Sequence, residues 1–145
     1  MSSAAWIIRL ILLYLFVSSV ALLVWVSYER TPKHLTIAFL DIGQGDAIYI
    51  ESPTGKQVLI DGGDDRDILA ALARAMPLLD RSLDVVIGTH PDKDHIGGLP
   101  HVLERYAVSN ILDPGLEDTT ETYLFYKERL QEEIQKSGAL YQEAR

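Results

Sequence analysis

The segment His90-Pro91-Asp92-Lys93-Asp94-His95 gathers two imidazoles and two carboxylates into six positions, with Gly88 before it and Gly97-Gly98 after it. These are the donors a divalent cation takes when no thiolate is available, and the chain has no cysteine. Side chains alternate along an extended loop, so His90, Asp92 and Asp94 are predicted to share one side while His95 points elsewhere. His90 and Asp92 would then face one cation, and Asp94 and His95 a second. Two cations roughly 3.5–4 Å apart can activate water near neutral pH and stabilise an in-line displacement. Any one of these residues alone would be read as part of a polar loop. All four, between an apolar strand and a glycine pair, predict a metal site for two divalent ions.

The elements that must position this cluster are legible as a layered α/β domain. Leu83 to Ile87 is a short apolar run, predicted to be a buried strand, and ligand sites in α/β sheets lie at the carboxyl ends of strands. Leu35 to Ile42 is apolar at both parities and predicts a strand buried on both faces. Residues 47–50 and 57–60 read as a hairpin around Ser52-Pro-Thr-Gly55. Ile68, Leu69, Leu72, Met76 and Leu79 recur at helical spacing, with Asp67 as the predicted N-cap and Pro77 as the stop. A helix should run from the glycine pair to about Tyr106, then a strand over 108–112. Thr119 to Ser137 predicts an amphipathic helix capped by Asp118 or Thr119 and ended by Gly138, with Glu128, Glu132 and Glu133 on its solvated face. Residues 140–145 have the makings of another strand.

Ahead of this domain, Leu10 to Val26 is interrupted only by Ser18 and Ser19, and Trp6, Trp25 and Tyr28 stand near the ends of the apolar stretch as an aromatic belt would. Arg9 lies where it can snorkel to the interface. The run is long for a signal peptide and lacks an Ala-x-Ala-like cut, so a single-pass membrane anchor over 1–30 is predicted, with the α/β domain over 31–145. A cleaved signal and a core helix are the weaker alternatives. Arg9 on one side and Arg30 with Lys33 on the other leave orientation unencoded. The net charge of −8 disfavours nucleic-acid binding over the surface at large. A nucleic-acid substrate then requires local charge or metal ions to offset that field.

The metal cluster resembles the metal-binding motif of the metallo-β-lactamase fold, usually His-x-His-x-Asp-His, with aspartate at the second histidine position. That form, together with "FLDIGQGDAIYIESPTGKQVLIDGG" (39–63) and "VVIGTHPDKDHIGGLPHVLERY" (85–106), is similar to the hydrolase-like domain of ComEC-type competence proteins. The resemblance implies an αββα sandwich, of which this would be the N-terminal part. It implies metal ligation by His90, Asp92, Asp94 and His95, and a general-base role for Asp94. Two divalent ions, zinc or manganese, are the implied cofactors, with Asp92 shifting preference toward a harder ion. The family has an acidic residue near the metal loop where Asp61 stands, so Asp61 is read as orienting a ligand histidine, with an Asp-Gly-Gly turn as its alternative. Asp41 and Asp46, beside Gly43 and Gly45, are placed at the rim of the site, and turn chemistry accounts for them equally well. His101 is read as a surface residue and His34 as part of the linker.

The resemblance also places histidines and an aspartate far downstream, whereas no histidine follows His101. The chain is therefore read as a portion of a longer protein, and otherwise as a degenerate domain. The function predicted is a membrane-anchored metal-dependent hydrolase cleaving a phosphodiester, with DNA as substrate outside the cytoplasm and no protein partner inferable. The alternatives are a hydrolase of a small ester, lactone or amide, and a non-catalytic tethered module.

Overall fold

The computed structural model describes residues 3–29 and 34–143. The chain divides into two compact units, Met1–Pro32 and Lys33–Arg145. The first is a helix, α1 (Ser3–Glu29). Its stretch Ala5–Val26 is long and apolar enough to cross a membrane, at about 33 Å for 22 residues. Within that stretch both serine hydroxyls bond back to the helix: Ser18 Oγ donates to Leu15 O at 3.0 Å and Ser19 Oγ to Phe16 O at 2.9 Å. Arg30, Lys33 and the side chain of Tyr28 lie outside the described residues.

The second unit is one six-stranded sheet in sequential order: β1 (Thr36–Phe39), β2 (Ile48–Glu51), β3 (Gln57–Ile60), β4 (Ser82–Ile87), β5 (Ala107–Asp113) and β6 (Leu140–Glu143). The first two pairings are antiparallel, β1 with β2 across the loop 40–47 and β2 with β3 around the Ser52–Gly55 turn. The last three are parallel, with helices in each crossover: α2 (Asp67–Ala75), then α3 (Lys93–Ile96) with α4 (Leu99–Arg105), then α5 (Glu121–Ser137).

Register explains the core. Tyr49, Leu59, Val86 and Ile111 lie side by side across β2 to β5 and are wholly buried. They pack with Ile68 and Leu72 of α2, Leu99 and Val102 of α4, and Tyr126 and Leu130 of α5. The alternate residues Ile48, Ile50, Val58, Ile60, Val85, Ile87 and Leu112 face the other way and stay half-exposed. The described residues of the second unit thus form one helical layer on one sheet, a mixed α/β arrangement, with an apolar second face.

Several predicted details change. β1 is not buried on both faces: Leu35, Ile37 and Phe39 are 59, 54 and 81% exposed. It pairs only with β2, at the sheet edge, and its apolar residues belong to the bare face. Asp67 is the first helical residue of α2, not its cap; Arg66 occupies that place without a side-chain bond. The helix predicted after the glycines is α4, and an unpredicted short helix, α3, precedes them and begins at Lys93 within the cluster itself. Thr120, rather than Asp118 or Thr119, caps α5 by accepting from Tyr123 N at 3.4 Å. Asp118 instead holds Thr120 through its backbone N–H and hydroxyl. Gly138 ends α5 in the left-handed conformation, as predicted.

Glu133 is the largest departure. It is 2% exposed, whereas Glu128 and Glu132 are solvated as predicted. Its carboxylate accepts from Val108 N at 2.9 Å, satisfying a β5 amide that lies before the stretch paired with β6.

Candidate metal centre

The parallel strands β3 and β4 end together, and their ends carry the candidate residues. The β4–β5 ladder continues one step past Ile87, with Gly88 N donating to Leu112 O at 3.0 Å. Asp61 follows β3 directly, 4% exposed and at φ 59°, a left-handed conformation that aspartate tolerates better than most residues. Its backbone N–H is held by Ile87 O at 2.8 Å.

From that fixed position the Asp61 carboxylate organises the loop after β4. Oδ1 accepts from Thr89 N at 2.8 Å. Oδ2 accepts from Thr89 Oγ1 at 2.6 Å and lies 2.9 Å from His95 Nδ1. A carboxylate only accepts, so His95 carries a proton on Nδ1, and in the neutral ring the lone pair is then on Nε2. The Thr89 hydroxyl donates its one hydrogen bond to Asp61, so it can only accept from His90 Nδ1, 2.9 Å away. The neutral His90 ring therefore also has its lone pair on Nε2. One buried carboxylate sets the tautomer of both rings, the second through a threonine.

The four cluster residues come together in two pairs. His90 Nε2 lies 3.5 Å from Asp92 Oδ2, and His95 Nε2 lies 3.9 Å from Asp94 Oδ2. Two ligands sharing one tetrahedral cation at bonds near 2.0–2.2 Å stand about 3.3 Å apart. The His90–Asp92 pair, at 3.5 Å, is close to that separation, and the His95–Asp94 pair, at 3.9 Å, stands wider than it. Imidazole and carboxylate are donor types that suit a divalent cation, and each pair offers two of them. Among the described residues no three histidine or carboxylate side chains converge on one point.

The residues that stand nearest each other are the ones the sequence reading assigned to one cation each, but the side-chain alternation invoked for it does not hold. Lys93–Ile96 is a helical turn, not extended chain, so His95 does not point away from His90. The two rings pack against each other with centroids 3.7 Å apart and planes at 47°.

Of the two aspartates placed at the rim, Asp46 reaches the cluster through its backbone, its N–H donating to Asp94 O at 3.2 Å. Asp41 is exposed in the loop after β1 and makes no hydrogen bond or ion pair to the cluster among the described residues. His101 is only 17% exposed at its side chain, lying edge-on to Phe125 with centroids 5.9 Å apart. It packs on the helical layer, where it lines a pocket with Lys93 and Gly97. His34 is exposed ahead of β1. Sequence reasoning missed Thr89, the link between Asp61 and His90. The available signal was a lone hydroxyl between the strand end and the first histidine.

Residues 40–139 match the family described as the metallo-beta-lactamase superfamily. The chain belongs to that superfamily. Its members are generally metal-dependent hydrolases. Among solved structures, the metallo-beta-lactamase SMB-1 bound to 2-mercaptoethanesulfonate matches with TM-score 0.45 and 24% identity, over 56% of this chain and 31% of that one. SMB-1 in complex with mercaptoacetic acid gives 0.44 and 23%, over 57% and 34%. MEM-A1, a subclass B3 metallo-beta-lactamase from a soil metagenome library, gives 0.40 and 20%, over 57% and 33%. The matched region thus spans about a third of the length of these metallo-beta-lactamases. No curated protein matches the chain.

Proposed function

We propose that this superfamily member is a metal-dependent hydrolase of the ComEC-like branch that cleaves phosphodiester bonds in DNA. In this reading α1 tethers the domain to a membrane, with the domain on the extracytoplasmic side. His90 and Asp92 would hold one divalent cation, and His95 and Asp94 the other, with zinc or manganese as the candidates. When bound, such a pair neutralises charge on the phosphodiester oxygens and makes water ionisable near neutral pH. Asp61 keeps both Nε2 atoms available, and Asp94, 58% exposed at its side chain, accepts the proton of the attacking water. The observation carrying this proposal is the fixing of both imidazole tautomers by one buried carboxylate, next to two solvent-facing aspartates. Support for the branch comes from Asp92 in the second-histidine position and from the Asp-Ile-Gly-Gln-Gly-Asp stretch over 41–46.

The net charge of −8 favours a second reading, a hydrolase of a small ester, lactone or amide. A non-catalytic tethered module is the third. The separating experiment incubates the protein with single-stranded DNA and manganese, alongside an ester and lactone panel and the Asp94→Ala variant. The proposal expects manganese-dependent DNA cleavage that Asp94→Ala abolishes. Ester or lactone turnover without DNA cleavage would establish the second reading, and no turnover of any substrate the third. Protease accessibility in intact cells tests sidedness, with cleavage of the domain from outside as the expected result.

A further inference from the structure

Helix α3 has only four residues, too few to satisfy its own carbonyl groups. Lys93 O is met by Gly97 N at 2.8 Å just past the helix, and outside loops serve the next two. Asp94 O accepts from Asp46 N at 3.2 Å, and His95 O accepts from Gly62 N at 2.7 Å. The Asp46 backbone is held in turn, its carbonyl accepting from Gly63 N at 3.1 Å. The approach at Asp94 requires an absent side chain. Gly45 sits at φ +90°, and a Cβ there would stand 1.8 Å from Asp94 O and 2.7 Å from Asp94 C. That atom is backbone, with no flexible end to swing aside. Gly43 is the contrast: it also has positive φ, +81°, but a Cβ there meets nothing within 4 Å.

We propose that the Gly45–Asp46 step is a positioning element for the Asp94 half of the centre, setting where the Asp94 carboxylate stands through its main chain. The proposal rests on the metal-binding reading and adds a division of labour within it. Asp61 orients the histidines from beneath, and the β1–β2 loop places the aspartate of the second pair from the side. The Gly-Gln-Gly-Asp stretch then needs no ligand role of its own. Displacing it should weaken one cation position and spare the other.

The test is calorimetric titration of manganese and zinc into chelator-treated full-length protein, Gly45→Ala and Gly43→Ala. The proposal expects two cations bound by the unaltered chain. Gly45→Ala should weaken one of them by about 10–100-fold, and Gly43→Ala should weaken neither. Equal affinities in Gly45→Ala and Gly43→Ala overturn the positioning role, as does equal weakening at both positions. No uptake by the unaltered chain overturns the metal-binding reading itself, a distinct result. Should Gly45→Ala fail to fold, amide exchange in the unaltered protein decides. Protection of the Asp46 amide that rises on adding manganese supports the proposal, and solvent-rate exchange with and without the cation overturns it.

Discussion

Strands β3 and β4 carry an acidic network at each end, and the two networks differ in what they leave over. At the amino-terminal end, Asp84 accepts from Lys56 Nζ at 2.6 Å and from Gln57 N at 2.9 Å. Asp80 accepts from Gln57 Nε2, from Ser82 N and from the Ser82 hydroxyl. These bonds close on themselves: each carboxylate oxygen has a donor, and none of the partners is an imidazole with a second nitrogen to spare. At the carboxyl-terminal end, Asp61 is equally well bonded, yet its partners are two imidazoles, one directly and one through Thr89. Fixing their Nδ1 protons leaves two Nε2 lone pairs facing solvent-exposed carboxylates. A dense polar network alone therefore does not mark a site. Donor atoms left over after the network is satisfied do.

The largest expected effect separates the two ends most sharply. Asp61→Asn keeps a residue that tolerates positive φ but replaces one accepting oxygen with a donor. It should cost about 2 kcal/mol of stability and about 10–100-fold in manganese or zinc affinity, read by denaturant unfolding and calorimetric titration. Thr89→Val keeps the shape and removes the relay to His90. It should cost about 1 kcal/mol and about tenfold in affinity, and by releasing the His90 tautomer it should weaken the His90–Asp92 position more than the other. Asp84→Asn, at the opposite end, should cost about 1 kcal/mol or less, because the Lys56 partner is well exposed, and should leave cation binding unchanged. A change in affinity there would erase the distinction between the two ends.

The smallest effect is a pH dependence of the closed network. Burial alone would raise the Asp84 pKa, but the bonds from Lys56 and Gln57 outweigh it and hold the value below the usual carboxylate range. Burial likewise opposes the bonds from Ser82 and Gln57 at Asp80, and the bonds again prevail. A depressed folded-state pKa contributes stability that is fully present above the unfolded value near 4 and is lost as pH falls through the folded value. Stability should therefore decline on acidification below about pH 4, and Asp84→Asn should flatten part of that decline in denaturation curves taken at successive pH values.

The sequence made the strand order of the domain's middle readable, because apolar runs bounded by glycine and proline are local signals. It also showed the cluster, because a plain polar loop has no need of four ligand-type residues in six positions. What escaped it was non-local. Glu133 looked solvated because helical periodicity cannot see the Val108 amide it binds from another element. β1 looked doubly buried because an apolar run does not reveal that it will lie at a sheet edge. The facing of His95 was misjudged because a helical turn begins at Lys93, where side chains no longer alternate. The Gly45 contact with Asp94 joins residues 49 positions apart and has no local sequence mark beyond the glycine itself.

The central claim is that the carboxyl-terminal network holds two imidazoles with Nε2 free for cations. Nitrogen-15 NMR of the histidine side chains tests it most directly. The account predicts that His90 and His95 in cation-free protein both show the Nδ1–H tautomer, and that both Nε2 resonances shift on titration with zinc. An Nε2–H tautomer at both rings, or Nε2 resonances unmoved by saturating zinc, would contradict it.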